Sequence, residues 1–420
     1  ARNSSLSTDP IARLPRPPTL VLSAQRRGRA YGCIPRLRSS TVLAVRLCAS
    51  RASFPAIRAT IPEKPRALQE PMNLQLIDRI IELPYRVLPS SRLATSTWKV
   101  TASERARVKI TWPAKYQWVH AGIFTDTLKR SLRRMGVLRV AALAQPHRGI
   151  VRLLATIDDV THVVIVDYSD YADRIDYDAL ATCSLYVKFQ HRVSGYGDNC
   201  IVPGGYSVSS QHYYRYYRAF RKHGATRSIG VLGRFSYKFQ GELRARAVEM
   251  LSNAADIHFV GTGKRARYSR FLREMATARL SLDLPGNGPF TFRVPEILGL
   301  GTCLISPTYR TKLHEPLLPG VHYVAVADDL SDLLEACRYY LAHEREREEI
   351  ARAGRDYFDR FLHIDHLASY YLRPMLGRLG TCSEPRPLQD GAAADHHSGI
   401  GVAHAESRDR ITERSIGIQW

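Results

Sequence analysis

The chain has 420 residues, 45% of them apolar, and a formal net charge of +22. That length suits two to three domains, and no apolar run approaches the ~18 residues a membrane-spanning helix needs. The seven cysteines (Cys33, Cys48, Cys183, Cys200, Cys303, Cys337 and Cys382) form no CxxC pair and show no ligand-like spacing, which excludes a disulfide framework and a zinc site.

The charge is laid down unevenly. Residues 1–71 hold 13 lysines and arginines against 3 acids, a net +10, so nearly half the excess lies in a sixth of the chain. This leader is rich in Arg, Ser and Pro, is aperiodic, and precedes the first methionine, Met72. An Arg- and Ser-rich, acid-poor leader fits an organelle transit peptide. The favoured reading is upstream sequence that is disordered and outside the fold. Residues 72–104 open with MNLQLIDRIIELPYRVL and read as an amphipathic helix and linker.

From about 105 to 380 short β-branched runs alternate with helical spacing. The strands are RVKITW (107–112), THVVIVD (161–167), SLYVKF (184–189), SIGVLG (228–233), DIHFVG (256–261), RLSLDL (279–284) and TCLIS (302–306). Such alternation implies an α/β fold with mostly parallel sheets. The polar stretch RKHGATRS (221–228) divides it into two tandem Rossmann-like, doubly wound domains, 105–227 and 228–378. Tandem domains of this kind hold a ligand between them, at the carboxyl ends of the strands. HEREREEIARAGRDYFDR (343–360) is charge-dense but pairs opposite signs at i,i+4, the mark of a solvated helix face. Residues 379–420 are polar and aperiodic and read as a disordered tail, in which His396 and His397 carry no function.

The first block offers two candidate bases. Asp167 ends a strand and leads the run Asp167, Asp170, Asp173; its DxxDxxD spacing favours caps and loop carboxylates over a metal cluster. Asp167 is the first choice for a catalytic base and His191, after the next strand, the second. QHYYRYYRAF (211–220) interleaves Tyr with Arg, which suits single-stranded nucleic acid, but its aromatics fall on one helical face and core packing is favoured.

In the second block, GVLGRFSYKFQG (230–241) places Gly233, Arg234 and Lys238 in a first βα turn. FVGTGKRA (259–266) lacks the hydroxyl a P-loop needs after Lys264, where Arg265 stands. SLDLPGNGPFTFRVPEILGLGTCLISP (281–307) puts a side-chain-poor turn between a strand and a helix. Gly286, Asn287 and Gly288 make the turn, free N–H groups at the helix start suit a phosphate, and Thr291 and Arg293 add donors. Glu296 lies on the same face, where a carboxylate accepts from ribose hydroxyls. The positive helix end is expected to keep it ionised.

The segment LDLPGNGPFTFR, with the helix and GLGTCLISP behind it, resembles the nucleotide-sugar clamp of GT-B glycosyltransferases. It is similar to the D-x-x-GNG…R pattern of glycosyltransferase family 90, with Arg293 one residue later. Glu296 resembles the second glutamate of the E-x7-E motif of family 1 and family 4 enzymes; Gly288 stands where the first would be. The resemblance covers residues 228–376. It implies a GT-B glycosyltransferase with an acceptor-side domain at 105–227 and a nucleotide-sugar-binding domain at 228–378. A nucleotide-diphosphate sugar would be the donor, a glycan, lipid-linked or protein molecule the acceptor. Neither cofactor nor metal is expected, and no nucleic acid. The expected setting is cytoplasmic, with room for peripheral membrane contact, in cell-envelope polysaccharide building. The competing reading is a non-catalytic, basic nucleotide- or nucleic-acid-binding protein.

Overall fold

The computed structural model describes residues 99–210, 212–223, 227–262 and 266–380. The leader 1–71, nearly all of the helix and linker at 72–104, and the tail beyond 380 lie outside the described residues. All seven sequence-derived strands are present, and four further strands join them.

The first sheet has the order β2-β1-β3-β4-β5-β6, with β1 Val108–Pro113, β2 Leu138–Ala141, β3 Ile150–Ile157, β4 Val160–Asp167, β5 Leu185–Lys188 and β6 Ile201–Pro203. Strand β3 runs antiparallel to both β1 and β4, so this sheet is mixed, a feature the sequence reading did not include. The β3–β4 hairpin closes on Asp158 and Asp159, at φ 47° and 69°. Two positive φ values suit the right-handed twist of flanking strands, and Arg107 holds Asp158 in place with Nε and Nη2.

The second sheet is wholly parallel, with order β11-β10-β9-β7-β8. Its strands are β7 Ile229–Arg234, β8 Phe259–Thr262, β9 Ala278–Leu282, β10 Cys303–Pro307 and β11 Val324–Val326. The chain leaves β7 to one side for β8 and returns to the other side for β9. That reversal leaves the loops after β7 and β9 splayed around a crevice at their carboxyl ends, the usual ligand position in an open α/β sheet.

The helices are α1 Ala102–Ala106, α2 Gly122–Arg134, α3 Tyr177–Thr182, α4 Tyr213–His223, α5 Gly241–Asn253, α6 Tyr268–Thr277, α7 Arg293–Leu300, α8 Leu333–Ala342, α9 Glu344–Tyr357 and α10 Ile364–Pro374. One hydrophobic cluster runs through both halves, from Ile110 and Trp112 on β1 to Leu232 on β7 and Leu304 on β10. The faces of the sheets turned away from it carry separate clusters, with Ile165 and Tyr186 in one and Val231 and Ile305 in the other. The helix α10 returns from the second half to the first. Its buried Asp365 accepts from Ser131 Oγ at 2.7 Å and pairs with Arg134, both on α2. The charge-dense 343–360 stretch is less solvated than its pattern implies, because Arg347 is buried and donates to the Tyr340 carbonyl at 2.9 Å.

Helix α4 buries all its large aromatics, Tyr213, Tyr214, Tyr216, Tyr217 and Phe220. This is core packing and leaves no stacking face for bases. Tyr213 donates to the carbonyl of Glu296 at 3.0 Å, and its hydroxyl would lie 2.1 Å from a Cβ at Gly299. Glycine is what lets α7 settle on α4. Gly299→Ala is expected to cost about 1–3 kcal/mol, the range for overpacking. Tyr213→Phe removes the crowded oxygen and should recover part of that loss. Urea denaturation of the single and double variants checks this, and strict additivity would locate the strain elsewhere.

Candidate active site

The segment between β9 and α7 is built on Asp283. This carboxylate is wholly buried and accepts from Thr291 Oγ1 at 2.8 Å, Arg293 Nη1 at 3.1 Å and the Tyr309 hydroxyl at 3.1 Å. Burial pushes its pKa up, while Arg293 and the two hydroxyls pull it down. The three contacts fix both ends of the Pro285–Thr291 turn. Thr291 Oγ1 also accepts from the Arg293 amide at 3.2 Å, so the first helical turn is set by the hydroxyl that Asp283 holds. Helix α7 begins at Arg293, later than the period starting at Phe290 suggests. The glycines are therefore separated from the helix start by Pro289, Phe290, Thr291 and the N-cap Phe292.

Those glycines meet the first sheet. A Cβ at Gly288 would stand 2.5 Å from Gln190 Nε2 and 2.8 Å from the Asp170 carbonyl. Gln190 is buried and treats Phe290 as a neighbouring strand would, donating to its carbonyl at 2.8 Å and accepting from its amide at 3.4 Å. It also donates to the Tyr206 hydroxyl at 3.0 Å and accepts from Thr311 Oγ1 at 3.0 Å. Asp170 accepts from the same Tyr206 hydroxyl at 3.0 Å and from Asn287 Nδ2 at 3.4 Å. The Gly286–Gly288 turn is thus seated against loops at the carboxyl ends of β4 and β5.

Glu296 departs from expectation. It is 3% exposed, and burial raises its carboxyl pKa against the opposing pull of Ser209, Tyr268 and Arg293. Desolvation outweighs the helix end that was expected to keep it ionised. Its Oε1 accepts from Ser209 Oγ at 2.6 Å, the Tyr268 hydroxyl at 2.7 Å and the Ser209 amide at 3.3 Å. No donor among the described residues reaches Oε2.

The first βα turn also differs. Arg234 is turned onto Glu274 of α6 through Nε at 2.5 Å and Nη2 at 3.0 Å. Gly233 is small because the rings of Phe259 and Phe235 stand 3.0 Å and 3.1 Å from its absent Cβ. Lys238 lies in an exposed loop between half-exposed Tyr237 and Phe239, its ammonium 5.5 Å from the Phe239 ring centre. The cation at the crevice is one the sequence reading passed over. Arg244 on α5 is buried and donates Nη1 to the Ser236 carbonyl at 2.9 Å and Nη2 to the Leu284 carbonyl at 3.0 Å. It therefore joins the loop after β7 to the loop after β9. An arginine one turn into an amphipathic helix gives no local signal of such a role.

Of the candidate bases, Asp167 accepts from Ser169 N and Oγ at 2.9 Å and 2.6 Å on one oxygen, and from Tyr186 and Lys188 at 2.7 Å each on the other. Four donors leave it no lone pair for a substrate hydroxyl in this arrangement. Lys188 is fully buried, with its pKa lowered by burial against the pull of Asp167. His191 is also buried; burial lowers its pKa, and its ring contacts the Arg192 carbonyl at 2.7 Å and Tyr196 edge-on. Its carbonyl accepts from the Lys312 amide at 2.9 Å, next to the Arg192–Thr311 bridge. Among the described residues no three His, Cys, Asp or Glu side chains gather as a metal site, and no helix is long and apolar enough to cross a membrane.

Asp167→Asn should cost about 3–5 kcal/mol in denaturant unfolding, because it strands a buried ammonium. Asp167→Leu combined with Lys188→Met should recover most of this. A double variant as unstable as the single one would rule out a paired charge as the source of the cost.

Residues 242–373 match the family model described as "Glycosyl transferase-like". Among solved structures, HepE of Anabaena in complex with UDP-glucose is similar at 14% identity and a TM-score of 0.30, over 48% of this chain and 66% of that one. HepE with UDP and glucose is similar at 12% identity and a TM-score of 0.33, over 51% and 71%. A glycosyltransferase from Rickettsia africae is similar at 10% identity and a TM-score of 0.35, over 64% and 84%. This chain spans slightly less than two thirds of the first of these structures, and at such TM-scores the likeness carries no inference about the site. The family match takes in Arg244, Asp283, the glycine turn, Arg293 and Glu296, and over that span the chain is similar to that family.

Proposed function

We propose that the protein is a glycosyltransferase that takes a sugar from a nucleoside diphosphate sugar. The observation that carries this is the Asp283–Thr291–Arg293 turn at the switch point of the parallel sheet, inside the glycosyl transferase-like span. The turn joins a side-chain-poor Gly286–Gly288 backbone to a fixed Arg293 within one segment, a combination that suits a diphosphate. Cations fixed before reaction stabilise the charge that grows on the leaving diphosphate, so transfer without a metal is the simplest chemistry for these residues. Asn287 stands where the turn meets Asp170, between the two halves. The acceptor, a glycan, a lipid-linked sugar or a protein side chain, would come over the carboxyl-end loops of the first sheet.

Glu296 would hold the ribose through Oε2 while Ser209 and Tyr268 secure Oε1. His191 is the stronger of the two base candidates, since its lowered pKa keeps the imidazole neutral and Asp167 is engaged with Lys188. Lys238, on the exposed loop, would close over the phosphates; Arg234 would do so only by leaving Glu274. The non-catalytic nucleic-acid reading loses its stacking surface to the core.

Thermal unfolding against nucleosides and nucleoside diphosphates tests the donor class. A matched nucleoside diphosphate at about a hundred times its Kd should stabilise by about 2.7 kcal/mol. No shift with any of them would end the donor reading.

Glu296→Gln keeps an acceptor for Ser209 and Tyr268 but weakens the grip on ribose. Donor KM should rise with a smaller loss in kcat, and discrimination against a 2′-deoxyribose donor should fall. A collapse of kcat at unchanged donor KM would instead place Glu296 in the chemistry. Stability should change too. The folded pKa lies above the ordinary 4.5, so the parent loses stability as pH rises from the unfolded value through the folded one. Glutamine has nothing to ionise. Its advantage in unfolding midpoint should be larger at neutral than at mildly acidic pH.

A further inference from the structure

Arg244 is a buried cation at the carboxyl ends of the second sheet with no carboxylate bonded to it among the described residues. Arg293 and Arg244 both act on the buried Asp283, and Arg293 also acts on Glu296, whose ionisation burial opposes; Asp283 is bonded to Arg293 and not to Arg244. The guanidinium carbons of Arg244 and Arg293 lie 5.7 Å and 4.8 Å from the centre of the same Phe235 ring. Arg244 is 5% exposed, and among the described residues it donates to two backbone carbonyls, neither of which carries a formal charge. Its Nε is buried without a partner, and so is Nε of Arg293. Burial and the neighbouring Arg293 bring the pKa of Arg244 down to about 10, with Asp283 opposing. An uncompensated buried cation is costly.

A Cβ at Gly286 would stand 3.6 Å from Arg244 Nη2, so glycine here sets no side chain of the turn against that nitrogen. Gly286 does not need to be glycine for its backbone, since its φ lies outside the left-handed region. Its smallness serves the space beside Arg244.

We propose that Arg244 is a direct ligand of the donor's diphosphate, which lies over Gly286 and supplies the charged partner that Arg244 lacks. This rests on the donor reading above. A guanidinium has five N–H donors; two are engaged with Ser236 and Leu284 and Nε is buried, which leaves the second N–H of Nη1 and of Nη2 for phosphate oxygens. The same side chain ties together the loops after β7 and β9, so the anion and both loops are held from one planar group. Lysine, a point charge without a fork, could not do both.

The test is calorimetric titration of the full chain with inorganic pyrophosphate, a nucleoside diphosphate and the matching nucleoside. Arg244→Met should weaken pyrophosphate and nucleoside diphosphate about tenfold to a hundredfold, the range for lost hydrogen bonds to a charged group, and leave nucleoside unchanged. Gly286→Val should act likewise by covering Nη2, with its unfolding midpoint within error of the parent. If Arg244→Met fails to fold, Gly286→Val decides alone. Unchanged pyrophosphate affinity in Gly286→Val, or equal weakening of nucleoside and pyrophosphate, would make Arg244 a tie between loops and overturn the proposal while the donor reading stands. A parent that binds no nucleoside diphosphate would remove both.

Discussion

A carboxylate shut away from water must be surrounded by donors, and Asp283 gets its donors from two hydroxyls and one guanidinium. Thr291 and Arg293 lie at the start of α7 and Tyr309 on a later loop, so a single buried charge gathers two stretches of chain to the end of β9. Once they are gathered, the intervening Pro285–Phe290 backbone has little freedom left. Gly286 faces Arg244 and Gly288 faces Gln190. The site's geometry thus depends on desolvating one carboxylate at the end of a parallel strand.

The second constraint is the contact between the two halves. Gln190 completes both backbone groups of Phe290, and Ser209 completes Glu296. Each of these is a polar group with no water to turn to, so each half satisfies hydrogen bonds the other cannot. Aromatic rings continue the seam, with Phe124 5.1 Å from Phe292 and Tyr206 4.8 Å from it. The α10 helix closes the molecule from the far side by setting Asp365 against Ser131 and Arg134.

Some of the site was legible beforehand because it is local. Gly286, Gly288, Thr291, Arg293 and Glu296 lie within one strand–turn–helix unit, and their spacing alone places them at a strand's carboxyl end. Other residues gave a misleading signal. Arg234 looked like a free cation because Glu274, which takes its fork, lies four tens of residues away in sequence. Asp167 looked like an accessible carboxylate because Lys188, an ordinary lysine in a strand pattern, is its buried partner. Arg244, Gln190 and Ser209 gave no signal, since nothing near them in sequence marks the groups they meet.

The fold shows the same division. Periodicity and β-branched runs marked seven strands, the α/β class and the split into two blocks, because alternation and helical spacing are properties of short windows. The antiparallel β3 was missed, as Asp158-Asp159 is not a usual hairpin pair and its positive φ values are stabilised by distant Arg107. By itself the sequence determined seven of the strand segments, where a side-chain-poor turn must fall, and which family pattern that turn resembles. Only the tertiary structure decided which charges face one another and which carboxylates keep a free oxygen. Those outcomes are set by desolvation and long-range pairing, which act between residues that no local pattern connects.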